Sequence, residues 1–179
     1  SITENQLSDE LIEAQLKAPE SQQNTAYPLY FHTNTPGDVW PTLAQMRSEN
    51  QRLVLLTDDP AANGSWQLHW PDYAWETPYG DPDFPCENGR GDPNGADNQL
   101  VILNHYSLCE AGGCTQTSIQ NNQLDSITQH ARRCLDDKTY NPRGQLPTFI
   151  NLDHYQTPAQ TSVPDALLAV QAINSWWTP

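Results

Sequence analysis

The sequence predicts an α/β fold built around a parallel sheet. Three apolar runs of strand length, RLVLLT, QLVILNHY and LPTFINLDHY, are largely continuous rather than alternating, which is typical of strands covered on both faces. Segments of helical period separate these runs, and this order favours parallel strands joined by crossover helices. A chain of 179 residues can contain one hydrophobic core, so a single domain over residues 1–179 is expected.

The predicted elements follow from local patterns. Residues 8–16 have the period of an amphipathic helix, and a second helix is expected to begin near Pro41 with Asp38 as its cap. The strand RLVLLT comes next, followed by two aromatic, strand-like stretches, WQLHW and YAWETPY. After QLVILNHY, the segment NNQLDSITQHARRCLDD predicts a helix capped at Asn121 or Asn122. VPDALLAVQAINSWW predicts a closing helix after the last strand.

The charge of the chain limits the class of partner. Its 22 acidic residues against 8 Lys and Arg give a formal charge of −14, which repels a phosphate backbone or an anionic bilayer over most of the surface. No stretch approaches the ~20 apolar residues of a membrane span. The first ten residues have neither a basic start nor an apolar core, as a signal peptide would. We therefore expect no nucleic-acid partner, no transmembrane segment and no remaining signal peptide.

The four cysteines predict two disulfides. None forms a CxxC pair, which makes a zinc site the weaker alternative. Cys109 and Cys114 flank the short stretch EAGG, whereas a bond from Cys86 to Cys134 would tie a long loop to a helix. Such crosslinks indicate an oxidising compartment and hence a secreted or extracellular protein. The sequon at Asn63 agrees with secretion.

Polar residues stand where the predicted strands end. Because the carboxyl ends of parallel strands open onto one crevice, these side chains are expected to line one cleft. The acids among them could hold Ca²⁺, although their spacing defines no site and the cofactor stays unknown. The strand-end residues are Asp58, Asp59, Glu76, Thr77, Asn104, His105, Asp153, His154 and Tyr155.

Asp153 is the strongest candidate among these residues. It interrupts an apolar run, where an unpaired carboxylate is costly, so we expect a buried and paired side chain. Strand alternation would place Asp153 and Tyr155 on one face and His154 on the other. Trp75 and Tyr155 could stack on a sugar or inositol ring, and His105 could instead bond to a nearby carbonyl in a structural role.

The order of five segments is more specific than any one of them. The series TPGDVWPTLAQM, RLVLLTDD, YAWETPYGDPDFPCENGRG, LVILNHYSL and PTFINLDHY resembles the second half of the phosphatidylinositol-specific phospholipase C X-domain-like phosphodiesterases, from Tyr27 to Trp177. The resemblance implies a (β/α)₈ TIM barrel, typically about 250 residues long, of which this chain supplies the C-terminal half with about four strands. Tyr106 and His154 depart from the family pattern, in which phenylalanine or a similar residue is expected at those positions.

The resemblance also implies a chemistry. In this family two histidines from the first half of the barrel act as general base and general acid on a phosphodiester, such as a lipid head group. Of the residues in this chain, Asp153 would orient one of those histidines, and Glu76 and Arg90 would contact substrate. The chain would then need an N-terminal half-barrel, as a segment or a second chain, and would not turn over substrate alone.

Two other classes of function stay open. The fold could serve as a non-catalytic module that binds a ligand or carbohydrate through an aromatic rim, or as a structural or inhibitory protein. Glycan binding by the chain alone would favour the first of these. The predicted substrate-binding residues, besides Glu76 and Arg90, are Trp75, Asn104, His105 and Tyr155. No Gly-rich phosphate loop, GxSxG elbow or HExxH helix is present, so nucleotide, serine-hydrolase and zincin chemistry have no motif in the sequence.

Overall fold

The computed structural model describes residue 32 and residues 35–60, 67–95, 99–108, 114–157 and 163–177. The expected helix over residues 8–16, the Asn63 sequon and Cys109 lie outside the described residues, so the predicted Cys109–Cys114 bond stays a prediction. The chain divides into two compact units, residues 1–69 and 70–179, and each is described by itself.

The first unit contains one helix and a pair of parallel strands among its described residues. Helix α1 spans Leu43–Ser48 and is capped by Thr42, whose hydroxyl accepts from the backbone N–H of Gln45 at 3.1 Å. The expectation that Asp38 caps this helix is therefore wrong. Thr42 directly precedes the first turn, and Gln45 completes a capping box by accepting from the Thr42 N–H.

The two strands of the first unit are short. Strand β1 (Leu56–Thr57) lies at the end of the predicted strand RLVLLT and pairs in parallel with β2 (Leu68–His69). WQLHW therefore contributes a strand, as its aromatic content predicts.

The second unit is built on a three-stranded parallel sheet. Its strands are β3 (Ala74–Glu76), β4 (Leu100–Asn104) and β5 (Phe149–Asn151), in the order β3-β4-β5, and the 3₁₀ helix Trp70–Asp72 precedes β3. Strand β4 is buried along most of its length, as a continuous apolar run requires. The α/β class with parallel strands is confirmed, whereas the half barrel stays a prediction, because the described strands form two small sheets.

The described residues of the second unit also form three α-helices. They are α2 (Cys114–Asn121), α3 (Leu124–Asp136) and α4 (Asp165–Asn174), and α3 packs against α4. The buried carboxylate of Asp165 accepts from the backbone N–H of Leu124 at 3.2 Å, which ties the first turn of α4 to that of α3.

The predicted caps of α3 are wrong. Gln123 occupies the N-cap position, whereas Asn121 ends the preceding helix α2. Asn122 is fully buried, and its side-chain amide donates to the backbone carbonyls of Asp153 (2.6 Å) and His154 (3.2 Å). Asn122 therefore connects the start of α3 to the segment that follows β5.

The core of the second unit contains a disulfide. Cys86 and Cys134 are bonded, as predicted, and both are buried, so the loop between β3 and β4 is fixed to α3. The buried cluster around this bond consists of Cys86, Leu103, Ile127, Ala131, Cys134, Ala166, Ala169 and Ile173.

Gly91 is required by the close approach of this loop to β3. Its φ is +77°, and an added Cβ would lie 2.4 Å from the carbonyl oxygen of Ala74 and 2.8 Å from the Cα of Trp75.

Gly91→Ala is expected to lower the free energy of unfolding by about 3 kcal/mol, because it combines a disfavoured φ with a backbone clash. Urea denaturation measures the change. Gly37→Ala, at φ +90° in an exposed turn, is the control and should cost only about 1 kcal/mol. Equal losses in the two variants would contradict the clash at Gly91.

Candidate functional site

The carboxyl ends of the three parallel strands carry polar side chains. Glu76 ends β3, Asn104 ends β4 and Asn151 ends β5, and Asn104 is paired with Asn151 in the register of the sheet. The strands run in one direction, so these three residues lie along one edge of the sheet.

Hydrogen bonds join these residues to Arg90. The guanidinium Nε of Arg90 donates to Glu76 Oε1 in a close ion pair. Asn104 Nδ2 donates to Glu76 Oε2 at 3.2 Å, and Asn151 Nδ2 donates to Asn104 Oδ1 at 2.8 Å. We call Arg90, Glu76, Asn104 and Asn151 the polar chain.

The polar chain runs from the interior of the unit to its surface. Glu76 is 5% exposed and Asn104 is 2% exposed, so the carboxylate and the amide are held in place by buried contacts. The Arg90 side chain is 51% exposed, and its guanidinium lies 4.7 Å from the centre of the Trp70 ring and 5.9 Å from that of Tyr79. The arrangement therefore presents a fixed cation at the strand ends.

The backbone next to Arg90 is also fixed. The N–H of Glu76 donates to the Arg90 carbonyl at 2.9 Å, and the N–H of Gly89 donates to the Glu76 carbonyl at the same distance. At Gly89 an added Cβ would lie 2.9 Å from the backbone nitrogen of Pro78. The glycines on either side of Arg90 therefore let its backbone lie directly against β3.

A cavity of about 560 Å³ lies at the end of β5 and adjoins the polar chain through Asn151. Its polar lining residues besides Asn151 are Tyr106, Asp153 and Tyr155. The remaining walls are apolar and come from β5, α3 and α4: Ile127, Ile150, Leu152, Ala166, Leu167 and Val170. A cavity of this size, with apolar walls and a few polar groups, is typical of a small-molecule site.

Tyr106 lines this cavity and interacts electrostatically with both members of the Arg90–Glu76 ion pair. Burial raises the pKa of its phenol, and the carboxylates of Glu76 and Asp153 raise it further, whereas Arg90 acts in the opposite direction. The Tyr106 hydroxyl therefore stays protonated at neutral pH and is available as a donor.

Asp153 lies at the cavity but is not buried. Strand β5 ends at Asn151, and His154 has a positive φ of 50°. The alternation of side chains between the two faces of a strand therefore ends before Asp153. The Asp153 side chain is exposed, and its backbone carbonyl is held by Asn122. The expectation of a buried carboxylate is therefore wrong, and the catalytic role of Asp153 stays a prediction.

Trp75 and His105 lie in the interior rather than at the rim. Trp75 is fully buried, and its indole N–H donates to Gln145 Oε1 at 3.3 Å. His105 is also fully buried, with its Nδ1 2.8 Å from Nδ1 of His130. Of the predicted substrate-binding residues, the structure thus brings Glu76, Arg90 and Asn104 together and leaves Tyr155 exposed at the cavity.

Asn151 is the residue of this site that the sequence reasoning missed. The segments LVILNHY and FINLDHY share the dipeptide HY. Aligning the two segments on this dipeptide places Asn104 opposite Asp153. In the sheet, however, Asn104 is paired with Asn151, which is the first polar residue of the second segment. The first polar residue in each apolar run was therefore a better indicator of the residues at the strand ends than the shared dipeptide HY.

Among the described residues, no group of three acids lies close enough together to hold a metal ion. The group whose possible ligand atoms do lie close together is Cys86, His130 and Cys134, but its two sulfurs are bonded to each other.

The second unit is an α/β structure with polar residues at the carboxyl edge of its parallel sheet, next to a cavity. The family model PI-PLC X 1, the PI-PLC X domain, matches residues 12–167, which is most of the chain. The chain therefore belongs to the PI-PLC X domain family, as its ordered segments predicted. No curated protein and no solved structure matches it.

No helix among the described residues is long and apolar enough to span a bilayer.

Proposed function

We propose that the chain is the C-terminal portion of a secreted phospholipase C-like phosphodiesterase that acts on a phosphoinositide or a related phosphodiester. The observation that carries this proposal is the position of Arg90, fixed by Glu76 at the strand ends with half of its side chain exposed. Membership of the PI-PLC X domain family supports the same class of substrate.

Arg90 suits a phosphate ligand for electrostatic reasons. In a chain with 22 acidic residues and only 8 Lys and Arg, the half-exposed guanidinium of Arg90 is one of few cationic groups that a phosphate could contact. A guanidinium recognises phosphate oxygens through charge-assisted hydrogen bonds, which are stronger than bonds between neutral groups. Glu76 contacts Nε, so it restricts the side chain before a ligand arrives.

The cavity suits the remainder of such a ligand. The Tyr106 hydroxyl is a donor, and the Asp153 carboxylate is an acceptor for ligand hydroxyl groups. The apolar walls from β5 and α4 would contact the carbon skeleton. A phosphodiester that also bears hydroxyl groups fits this combination of surfaces.

The general base and general acid are expected in the first half of the barrel. The base would remove a proton from an inositol hydroxyl or from water as it attacks phosphorus, and the acid would protonate the leaving alcohol. Among the described residues, β5 pairs on one side only, with β4, and its Phe149 is 44% exposed. This edge supports the proposal that a strand from an N-terminal half-barrel completes the sheet.

The secreted location rests on the disulfide. The Cys86–Cys134 bond is buried in the core of the second unit, and bonds of this kind persist in oxidising compartments.

Asp153→Asn tests the catalytic part of the proposal in the full-length protein. If Asp153 orients a histidine from the first half, turnover of a phosphatidylinositol should fall by about 10²–10⁴-fold with little change in KM. Asp136→Asn, at an exposed carboxylate on α3, is the matched control and should leave turnover unchanged. Equal turnover in the two variants would remove Asp153 from the mechanism.

The second candidate is a non-catalytic module that binds a carbohydrate. Two exposed aromatic rings favour it, because Tyr79 (58%) and Tyr155 (51%) could stack on sugar faces. The isolated chain would then bind a glycan, and the full-length protein would show no turnover that depends on Arg90.

A further inference from the structure

A second group of reactive side chains lies in the core of the second unit, and the proposed function gives it no role. It consists of the disulfide-bonded Cys86 and Cys134 together with His130, all buried. One ligand atom from each of the three lies within 4.8 Å of the other two. His130 and Cys134 are four residues apart on α3, so they share one face of the helix.

Hydrogen bonds fix the tautomer of His130. The Nε2–H of His105 donates to the Asn121 carbonyl at 2.9 Å, which leaves the lone pair of the neutral ring on Nδ1. The Nδ1–H of His130 then donates to that nitrogen at 2.8 Å. The remaining lone pair of His130 is therefore on Nε2.

Nε2 of His130 accepts no hydrogen bond among the described residues, although His130 is only 2% exposed. The Pro85 carbonyl interacts with the His130 ring, but a carbonyl cannot donate to a ring nitrogen. A buried acceptor without a donor is costly, so it calls for an explanation. Metal-binding histidines are typically oriented by a hydrogen bond from the second ring nitrogen, which is the arrangement that His105 provides.

We propose that reduction of the Cys86–Cys134 bond by a dithiol creates a Zn²⁺ site formed by the two cysteine thiolates and Nε2 of His130. The dithiol supplies two electrons and becomes a cyclic disulfide, and each cysteine sulfur gains a proton. Zn²⁺ then displaces these two protons, whereas the imidazole binds through its lone pair. Two sulfurs and one nitrogen suit zinc rather than Ca²⁺, and they leave the fourth tetrahedral position open.

The loop that carries Cys86 has contacts to α3 besides the disulfide. The Arg133 guanidinium donates to the carbonyls of Asp83, at 3.3 Å, and Phe84. The Phe84 ring stacks on His105 with centroids 4.2 Å apart and on His130 at 5.5 Å. These contacts do not depend on the sulfur–sulfur bond, so they keep the two thiols near His130 after reduction.

Zinc binding by the reduced protein tests the proposal. The background Cys109→Ser, Cys114→Ser leaves only the two thiols in question. This protein is reduced with dithiothreitol, desalted without oxygen, incubated with ZnCl₂ and desalted again before its zinc content is measured. We expect about one zinc ion per reduced chain and none per oxidised chain. Co²⁺ in place of zinc should give a thiolate-to-metal charge-transfer band.

Two ligand variants and one control identify the site. Cys86→Ser and His130→Gln should each weaken zinc binding at least about 100-fold, whereas His154→Gln, at an exposed histidine, should have no effect. Circular dichroism follows the fold of each reduced protein. Absence of bound zinc, unchanged binding in His130→Gln, or unfolding on reduction that zinc does not reverse would each overturn the proposal.

Discussion

Arg90→Gln is expected to lower kcat/KM of the full-length protein for phosphatidylinositol by about 10²–10³-fold. The substitution removes the fixed cation at the strand ends and its charge-assisted bonds to the phosphate. Steady-state turnover on mixed micelles measures the loss. Arg90→Lys should recover only part of it, because an ammonium cannot reproduce the planar fork of the guanidinium.

Arg132→Gln is the matched control for this experiment. Arg132 is 49% exposed, like Arg90, and its guanidinium also lies over a tryptophan ring, 4.2 Å from the centre of Trp176. It should leave kcat/KM unchanged. Because Arg90 pairs with the buried Glu76, thermal unfolding of each variant is measured alongside. A folded Arg90→Gln protein with the turnover of Arg132→Gln would contradict the proposed role.

Acid is expected to destabilise the disulfide-bonded protein through His130. Burial lowers the pKa of His130 to about 3 from 6.5, and the neighbouring His105 and Arg133 act in the same direction. The unfolded chain therefore binds a proton near pH 6.5 that the folded chain excludes. This contribution to stability is present above pH 6.5 and is lost as the pH falls toward 3, by on the order of 5 kcal/mol in total.

The free energy of unfolding in urea, measured from pH 7 to pH 4, tests this prediction. His130→Gln should flatten the profile because it removes the titrating group, whereas His154→Gln, at an exposed side chain, should keep the wild-type slope. A wild-type slope no steeper than that of His130→Gln would show that His130 takes up its proton without unfolding. Burial lowers the pKa of His105 as well, so His105 adds to the slope in the same sense.

The sequence predicted β4 better than β5, because an apolar run indicates a strand that is covered on both faces. LVILN became β4 because both faces of the strand are covered, and such a strand must be apolar along its length. FINLD was interpreted in the same way, but β5 lies at the edge of the described sheet and is exposed at Phe149 and Asn151. The N-terminal half-barrel proposed above would cover this edge.

Helix α2 was missed because its sequence, CTQTSIQN, is polar and has no clear apolar stripe. The other missed features depend on partners that are distant in sequence. His105 contacts a histidine 25 residues away, and Asn104 contacts an asparagine 47 residues away. Residue type alone could mark these side chains as candidates, but only packing determines that Asn104 joins the polar chain and that His105 and Trp75 lie in the core.

The Cys86–Cys134 pairing was predictable for a different reason. One cysteine lies in a loop rich in Pro and Gly and the other lies on a helix with a clear apolar face, so a bond between them fixes a segment with little other regular structure.

The central claim is that a phosphodiester contacts the polar chain at the strand ends. Nuclear magnetic resonance of the full-length protein tests it directly, with glycerophosphoinositol as the probe and the side-chain amides of Asn104 and Asn151 and the Nε–H of Arg90 as reporters. We expect these three signals to shift together in a saturable manner, and Arg90→Gln to abolish the shifts at the two asparagines. Saturable binding that shifts other signals while these three stay in place would contradict the claim.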